Sequence, residues 1–444
     1  MSKGDAADTL PRHLPSPTII SIMGERKLST EPYRGVRDFY PEEMALRRHI
    51  FDTWSRAAER FGFERYDASV LEPAELYRSK GAKNEEIVRD QTYTFTDRGG
   101  REVTLRPEMT PSVARLVSRR RRELSFPLRW YSIPNLFRYE RPQRGRLREH
   151  WQLNCDIFGV KDCAADIEII ALAHQIFLSF GATLAMFEIQ VNDRALMSRL
   201  YRSLNISDEM ALLITRLNDR RRKMSDEDYR AALIDITKDK ALAEEVILML
   251  DQGDETGDIM PALKDLGIKN AVFNRSLARG FDYYTGAIFE IFDKHPNGAT
   301  RSLLGGGRYD NLTALFGGAP IPGVGFGLGD VTMVEFLTTH NLLPQKIAVP
   351  TALVAIIPTG AEHNLAALKT AETLRAAGHN AEVNFGDKKL GRKLSDASAR
   401  AVRFALVVGE NELTSGRYTL KDLRGGETTG TLDELSASLK GAGV

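Results

Sequence analysis

NLFRYERPQRGRLREHWQLNCDIFG, residues 135–159, consists of two short runs of alternating apolar and polar residues on either side of a loop carrying Arg141, Gln143, Arg144 and Gly145. A period of two around a Gly-containing polar centre predicts an antiparallel hairpin. Arg138, Arg141, Arg144, Arg146 and Arg148 outnumber the acids Glu140 and Glu149 in it. Guanidinium groups are planar forks of donors that keep their charge, so a hairpin that concentrates them is suited to gripping phosphate. An Arg-rich solvated turn is the competing reading of this segment taken alone.

The 444-residue chain around the hairpin is long enough for two or three domains and a substantial core. Its 42% hydrophobic and 27% charged residues are ordinary for a globular protein. A net charge of +1 argues against wholesale coating of nucleic acid but leaves room for a local basic face. The two cysteines, Cys155 and Cys163, form no CxxC pair and no Cys/His cluster. They are expected to be a buried pair of ordinary thiols in a reducing compartment, with no structural zinc. No apolar run approaches a membrane span, and the start of the chain lacks a secretory hydrophobic region, so a cytoplasmic protein is expected.

Residues 1–32, punctuated by Pro11, Pro15 and Pro17, read as a mobile extension. A helix is predicted from about Glu42 to Phe61, with Pro41 suited to its first turn. QTYTFTDRGGREVTL (91–105) is a hairpin whose turn uses Asp97, Gly99 and Gly100. Residues 108–122 read as a helix ending in four arginines, 162–181 as a helix and 186–192 as a strand. Residues 194–270 change character, becoming charged and helical, and read as an inserted module. From Val349 onward strands alternate with helices, which implies a small parallel or mixed α/β domain. Residues 338–350, with Pro344 and Pro350, form the expected linker.

Three further segments carry chemistry. LRPEMT (105–110) offers Glu108 and Thr110 at a strand-to-helix turn, where they suit the ammonium and polar tip of a small ligand. As helix caps the same residues are purely structural, and from the residues alone the cap is the favoured reading. LARGFDYYTGAIFE (277–290) sets Arg279, Asp282, Tyr283 and Tyr284 beside Gly280 and Gly286. Adjacent tyrosines on a strand point to opposite faces, so only one reaches a given pocket unless the backbone bends. Three consecutive glycines in LGGGRYD (304–310) permit close backbone approach or unusual dihedrals, and the alternating glycines of GVGFGLGD (323–330) suggest a strand packed against something bulky or a helix start beneath a nucleotide. Neither is a dinucleotide fingerprint, and GDKKLGRK (386–393) misses the P-loop pattern. The runs Arg119–Arg122 and Arg220–Lys223 read as solvated helix faces, with nucleic-acid backbone contact as the minority alternative.

In order and spacing, YRGVRDFYPEE (33–43), NEEIVRDQTYTF (84–95), TLRPEMT (104–110), FRYERPQRGRLREHWQ (137–152), LARGFDYYTGAIFE (277–290) and GGGRYD (305–310) resemble the histidyl-tRNA synthetases, a class II aminoacyl-tRNA synthetase family. The resemblance runs from about Tyr33 to the C-terminus, and FALVVGENEL (404–413) is similar to that family's anticodon-binding module. It implies an α+β fold: an antiparallel-sheet class II catalytic core at 33–343, a helical insertion at 194–270, and an α/β anticodon-binding domain at 344–444. The helix at 42–61 is then expected to help form a homodimer interface.

The same resemblance implies activation of histidine by ATP, with Mg²⁺ accompanying the nucleotide, and transfer of the histidyl group to the terminal adenosine of tRNA(His). Arg138 would hold the α-phosphate from the hairpin. Arg279 would approach from the opposite side, where related enzymes can use a metal ion. Fixed guanidiniums stabilise charge that builds on the non-bridging oxygens with little reorganisation. Arg146 would bind the outer phosphates and Glu140 the adenine amino group. Glu108, Thr110, Gln152 and Asp156 match positions near the amino-acid backbone, with Asp156 standing where the family often has Glu, and Tyr283 and Tyr284 lie near the imidazole ring. Arg141 and Gln143 are candidates for the tRNA acceptor end.

One departure stands out. The third class II signature normally carries an Arg in a GLER-like run that stacks on adenine. Here the run is GLGDVT from Gly327, with Gly329 and Asp330 at the expected Glu and Arg positions. A cation over an aromatic face contributes ~0.5–2 kcal/mol, so compensation by another residue such as Arg308 is expected. Two rival classes remain: a catalytically inactive, histidine-sensing regulatory subunit, which the C-terminal module disfavours, and a class II synthetase for proline or threonine, which ARGFDYYTG disfavours.

Overall fold

The computed structural model describes residues 28–78, 91–143, 145–218, 220–221, 224–252, 256–279, 283–299, 301–344 and 352–440. Most of the N-terminal extension, residues 84–90, part of the linker, Arg144, Gly280 and Asp282 therefore lie outside the described residues. The chain divides into two compact units, Met1–Asp38 with Ala57–Asn341, and Phe39–Arg56 with Leu342–Val444. No helix among the described residues is long and apolar enough to cross a membrane.

The hairpin forms as the alternation predicts. Asn135–Phe137 pairs antiparallel with Glu149–Phe158, with Asn135 opposite Trp151 and Phe137 opposite Glu149. The long strand then pairs with Leu128–Ser132 on one side and Gly323–Gly329 on the other, both antiparallel. The sheet continues through Leu304–Arg308, Ala287–Asp293 and Phe187–Asp193 to Ala271–Phe273, and it starts at the two-residue strand Glu64–Arg65. Only its outermost pairings, at Glu64–Arg65 and Ala271–Phe273, are parallel. The central strands can be glycine-rich because helix Ala164–Ser179 and the aromatic residues Phe158, Tyr283, Tyr284 and Tyr309 supply the apolar volume around them.

The hairpin predicted at 91–105 is present as Tyr93–Thr96 and Glu102–Leu105, and Asp97 accepts from the backbone N–H of Gly99 and Arg101 to close its turn. The described part of residues 194–270 contains helices joined by short turns and no strand, from Arg194–Ser203 to Ile259–Asp265. They hold their own core around Tyr201, Ile214, Tyr229, Leu233 and Val246. Asp193 caps the first of these helices through the N–H groups of Ala195 and Leu196.

In the second unit, the C-terminal part is a mixed sheet ordered Ala381–Val383, Val354–Pro358, Phe404–Val408, Tyr418–Asp422, Glu427–Gly430. The first three strands are parallel and the last two antiparallel. This is the mixed α/β architecture that the strand–helix alternation predicts, extended by a terminal hairpin and helix Leu432–Leu439.

Some local expectations are corrected. Arg221 lies between helices rather than on a helix face, with its guanidinium on Asp251 at 2.9 Å and on Ser276 at 2.8 Å. Both cysteines are free thiols, but Cys163 is only half-buried, because it sits just ahead of the helix rather than on its packed face. Arg119, Arg120 and Arg122 are exposed, as a solvated helix end requires.

Candidate active site

The hairpin strand is fastened to the LRPE turn by a buried arginine. Arg106 donates from Nε to the carbonyl of Asn135 at 3.0 Å and from Nη1 to the carbonyl of Ala68 at 2.7 Å. The turn thus lies against the hairpin, and Arg138 Nε donates back to the carbonyl of Pro107 at 2.9 Å. Helix Thr110–Arg120 has Met109 as its N-cap with no side-chain cap, so the cap reading of Glu108 and Thr110 is overturned. Thr110 occupies the first helical position, and Glu108 is free to turn inward.

Glu108 is buried, and its Oε2 accepts from the Tyr283 hydroxyl at 3.2 Å. Burial pushes its carboxyl up to about 7, against the opposing pull of Arg138, the Tyr283 hydroxyl and Arg279. Tyr283 and Tyr284 are not on a strand, which starts only at Ala287. The chain turns there, so both rings lie together, with centroids 4.9 Å apart. This is the backbone bend under which adjacent tyrosines can share one side. Arg194, the first residue of the helical insertion, holds this segment by donating to the carbonyls of Tyr284 at 2.9 Å and Arg279 at 3.0 Å.

Arg138 and Arg279 line one cavity of about 300 Å³, together with Glu140, Arg146, His150 and Gln152. Arg279 is set by Glu290, whose Oε1 lies 2.6 Å from its Nη1 and also accepts from Ser302 Oγ at 3.0 Å. Arg146 Nε sits 3.1 Å from Glu140. Arg141 and Gln143 are exposed on the hairpin loop and do not line the cavity.

Four glycines form the floor beneath these groups. Antiparallel pairing sets Gly305 opposite Gly327 and Gly307 opposite Gly325. The members of each pair share a face of the sheet, as do residues two apart on a strand. A Cβ on Gly305 would overlap the Arg279 guanidinium, and one on Gly325 would overlap the Asp156 carboxylate. A Cβ would come within 2.8 Å of the Tyr284 ring from Gly307 and within 2.7 Å of Gln152 from Gly327. The absent side chains are what let the functional ones lie flat.

Asp156 sits behind the tyrosines. Its Oδ1 accepts from the Tyr309 hydroxyl, while its buried Oδ2 has no hydrogen-bond partner among the described residues. Burial pushes its carboxyl up to about 7, with the Tyr309 hydroxyl pulling the other way. The Tyr283 and Tyr309 rings meet edge to face at 5.9 Å, so Glu108 and Asp156 bracket one aromatic cluster.

Arg308 does not compensate for the missing third-signature arginine. It is buried and faces away, pairing with Asp166 at 2.6 Å and donating to the carbonyls of Val160 and Asp162. Its role is structural. Arg308→Met is expected to destabilise the fold by about 3–5 kcal/mol, because it strands a buried carboxylate; urea unfolding measures the loss, and a change under 1 kcal/mol would refute it. At the departed signature, Asp330 turns onto Arg37 at 2.7 Å and accepts from the Trp151 N–H at 3.0 Å. Val331 and Thr332 reach the cavity wall instead.

The sequence reading missed several residues here. His150 lines the cavity as a neutral imidazole, its pKa brought down to about 3 by burial and by Arg138 and Arg37. Its parity with Gln152 and Asp156 on one strand was the available signal. Tyr309 and Glu290 act by holding Asp156 and Arg279, which no local pattern reveals. Arg301 also lines the cavity. Among the described residues, no group of three or more His, Cys, Asp or Glu is arranged to hold a metal ion.

A family model described as histidyl-tRNA synthetase matches residues 35–332, and one described as anticodon binding domain matches 353–441. The histidine–tRNA ligase of Leptospira biflexa is 42% identical over 422 residues, covering 90% of this chain and 95% of that protein. That of Thermoplasma volcanium is 37% identical over 419 residues, covering 90% and 96%. The crystal structure of histidyl-tRNA synthetase from Nostoc sp. PCC 7120 is similar with a TM-score of 0.72 at 24% identity, covering 93% of this chain and 99% of that one. At that identity the likeness speaks to the fold alone.

Proposed function

The chain belongs to the histidyl-tRNA synthetase family, and from that premise we propose that it is a histidine–tRNA ligase acting in the cytoplasm as a homodimer. The histidine carboxylate attacks the α-phosphorus of ATP, the bond to the bridging oxygen breaks, and pyrophosphate leaves. A ribose hydroxyl of the terminal adenosine of tRNA(His) then attacks the activated carbonyl carbon and AMP departs. Catalysis is assigned to residues 33–343 and anticodon recognition to 344–444.

The reading rests most on Arg138 and Arg279, which come from distant parts of the chain and line the same cavity beside a buried carboxylate. Each is held from behind, Arg138 by a carbonyl and Arg279 by Glu290. Preorganised cations of this kind stabilise charge on the α-phosphate oxygens without reorganising during reaction. Glu140 is assigned to the adenine amino group and Arg146 to the outer phosphates. Mg²⁺ enters with ATP as part of the substrate, screening phosphate charge.

For histidine, Glu108 is assigned to the ammonium, together with Thr110 and Gln152. Asp156, expected near the amino-acid backbone, is assigned instead to a ring N–H, because its unpartnered buried oxygen lies beside the aromatic cluster and suits a donor that arrives with the ligand. Tyr283 and Tyr284 enclose the ring. A site built from buried polar groups rejects amino acids that leave those groups unpaired. Arg141 and Gln143 are assigned to the acceptor end of the tRNA.

Histidine-dependent exchange of labelled pyrophosphate into ATP tests the enzyme reading. Exchange with histidine but not with proline or threonine is expected. None with any amino acid would leave only the sensor reading, and faster exchange with proline or threonine would reassign the substrate. Arg141→Ala is expected to lower kcat/KM for aminoacylation about tenfold, the value of one charged hydrogen bond, while leaving exchange within about twofold. Unchanged aminoacylation would remove Arg141 from the acceptor-end site.

A further inference from the structure

Four guanidiniums, those of Arg138, Arg146, Arg279 and Arg301, line the cavity. Glu290 pairs with Arg279 and Glu140 with Arg146. Arg301 is half-buried and makes one long bond, from Nη1 to the carbonyl of Gly145 at 3.4 Å. Among the described residues, no carboxylate oxygen lies within 4.0 Å of its guanidinium. Its Nε comes within 3.6 Å of where a Cβ on Gly145 would stand, next to Arg146. Arg146 is a like charge beside this partly buried cation, and the carboxylates of Glu140 and Glu335 offset it only from beyond ion-pair distance, which leaves room for an anion shared between the two guanidiniums.

Resting on the ATP-dependent reading above, we propose that Arg301 binds the outer phosphates of ATP together with Arg146, adding affinity for the nucleotide in a chain whose third class II signature lacks the adenine-stacking arginine. Three observations converge on it. The signature position is taken by Asp330, whose carboxylate is spent on Arg37 and Trp151. The residue expected to compensate, Arg308, is locked onto Asp166. Arg301 stands one residue before Ser302, which shares Glu290 with Arg279, so it is anchored beside the guanidinium assigned to the α-phosphate. Burial and then Arg146 lower the pKa of Arg301, with Glu140 and Glu335 pulling the other way. Two forked cations on the terminal phosphates orient the leaving pyrophosphate in line with the attacking carboxylate.

The experiment uses Arg301→Ala and Arg301→Lys in the full chain. The readouts are KM for ATP and for histidine in pyrophosphate exchange, and binding of inorganic tripolyphosphate by calorimetry. Arg301→Ala is expected to raise KM for ATP about tenfold or more, leave KM for histidine within about twofold, and weaken tripolyphosphate binding to a similar degree. Arg301→Lys should recover part of both losses. Changes within about twofold in ATP KM and tripolyphosphate binding alike would overturn the proposal. A raised ATP KM with unaltered tripolyphosphate binding would also overturn it, because the contact would then be to the nucleoside. If the unsubstituted protein shows no exchange, the ligase reading fails on its own, and the calorimetry still decides whether Arg301 holds a polyphosphate. Matching thermal melts separate loss of binding from loss of folding.

Discussion

Arg279→Ala is expected to slow histidine-dependent pyrophosphate exchange by about 10²–10³-fold, the usual cost of removing one preorganised donor from developing charge. The loss should fall on kcat, because the α-phosphate acquires its extra negative charge only as the carboxylate attacks. Lysine should rescue little. A point charge cannot lie flat on Gly305 while bonding Glu290 as the fork does. Removing Arg279 also leaves Glu290 unpaired, so Arg279→Ala with Glu290→Gln is the control. It should regain the melting temperature of the parent without regaining exchange. A single variant within about threefold of the parent rate would remove Arg279 from the reacting centre.

Glu108→Gln is expected to raise KM for histidine by about 10–100-fold, the range for a lost charge-assisted hydrogen bond. The same substitution should make the protein melt higher at pH 8. Glu108 titrates at about 7 in the fold, chiefly through burial, against an ordinary value of 4.5. Below pH 4.5 both folded and unfolded chains carry the proton and the group is neutral to stability. As pH rises from 4.5 towards 7 the unfolded chain releases the proton while the folded one retains it, so stability falls across that window and stays lower above it. Glutamine removes this burden, giving a gain of order 1 kcal/mol, or about 2–4 °C, at pH 8 and none at pH 4. On the proposed assignment of Glu108 to the ammonium, function runs the other way, since a cation is held by the charged carboxylate. In the parent enzyme KM for histidine should therefore rise as pH drops below about 7, and Asp156, raised by the same cause, should add to it. A pH-independent KM, or a variant that melts lower at pH 8, would show that Glu108 is not a strained ammonium ligand.

Much of this was readable before any coordinates. The 135–159 hairpin follows from its alternation, and of the two readings open for the glycines at 323–329 the structure has the strand with something bulky lying on it. Arg138 and Arg279 were picked out by type and motif, and they do meet in one cavity. What stayed hidden was long-range. The turn at Tyr283 and Tyr284 is held by Arg194, far away in sequence, so the bend that brings the two rings together has no local signal. Arg308 looked available because nothing near it in the chain is acidic except Asp310, while its main partner Asp166 sits on a distant helix. Arg301 belongs to no motif, and only the cavity gives it meaning.

The paired glycines beneath Arg279, Tyr284, Asp156 and Gln152 have an evolutionary corollary. Every missense change at Gly305, Gly307, Gly325 or Gly327 adds at least one carbon where a working side chain rests. At Gly305 that carbon meets the tip of a long side chain, which can swing aside and spare the fold. Selection at this codon therefore guards an empty volume, and drift there would leave a chain that assembles normally yet no longer charges its adaptor.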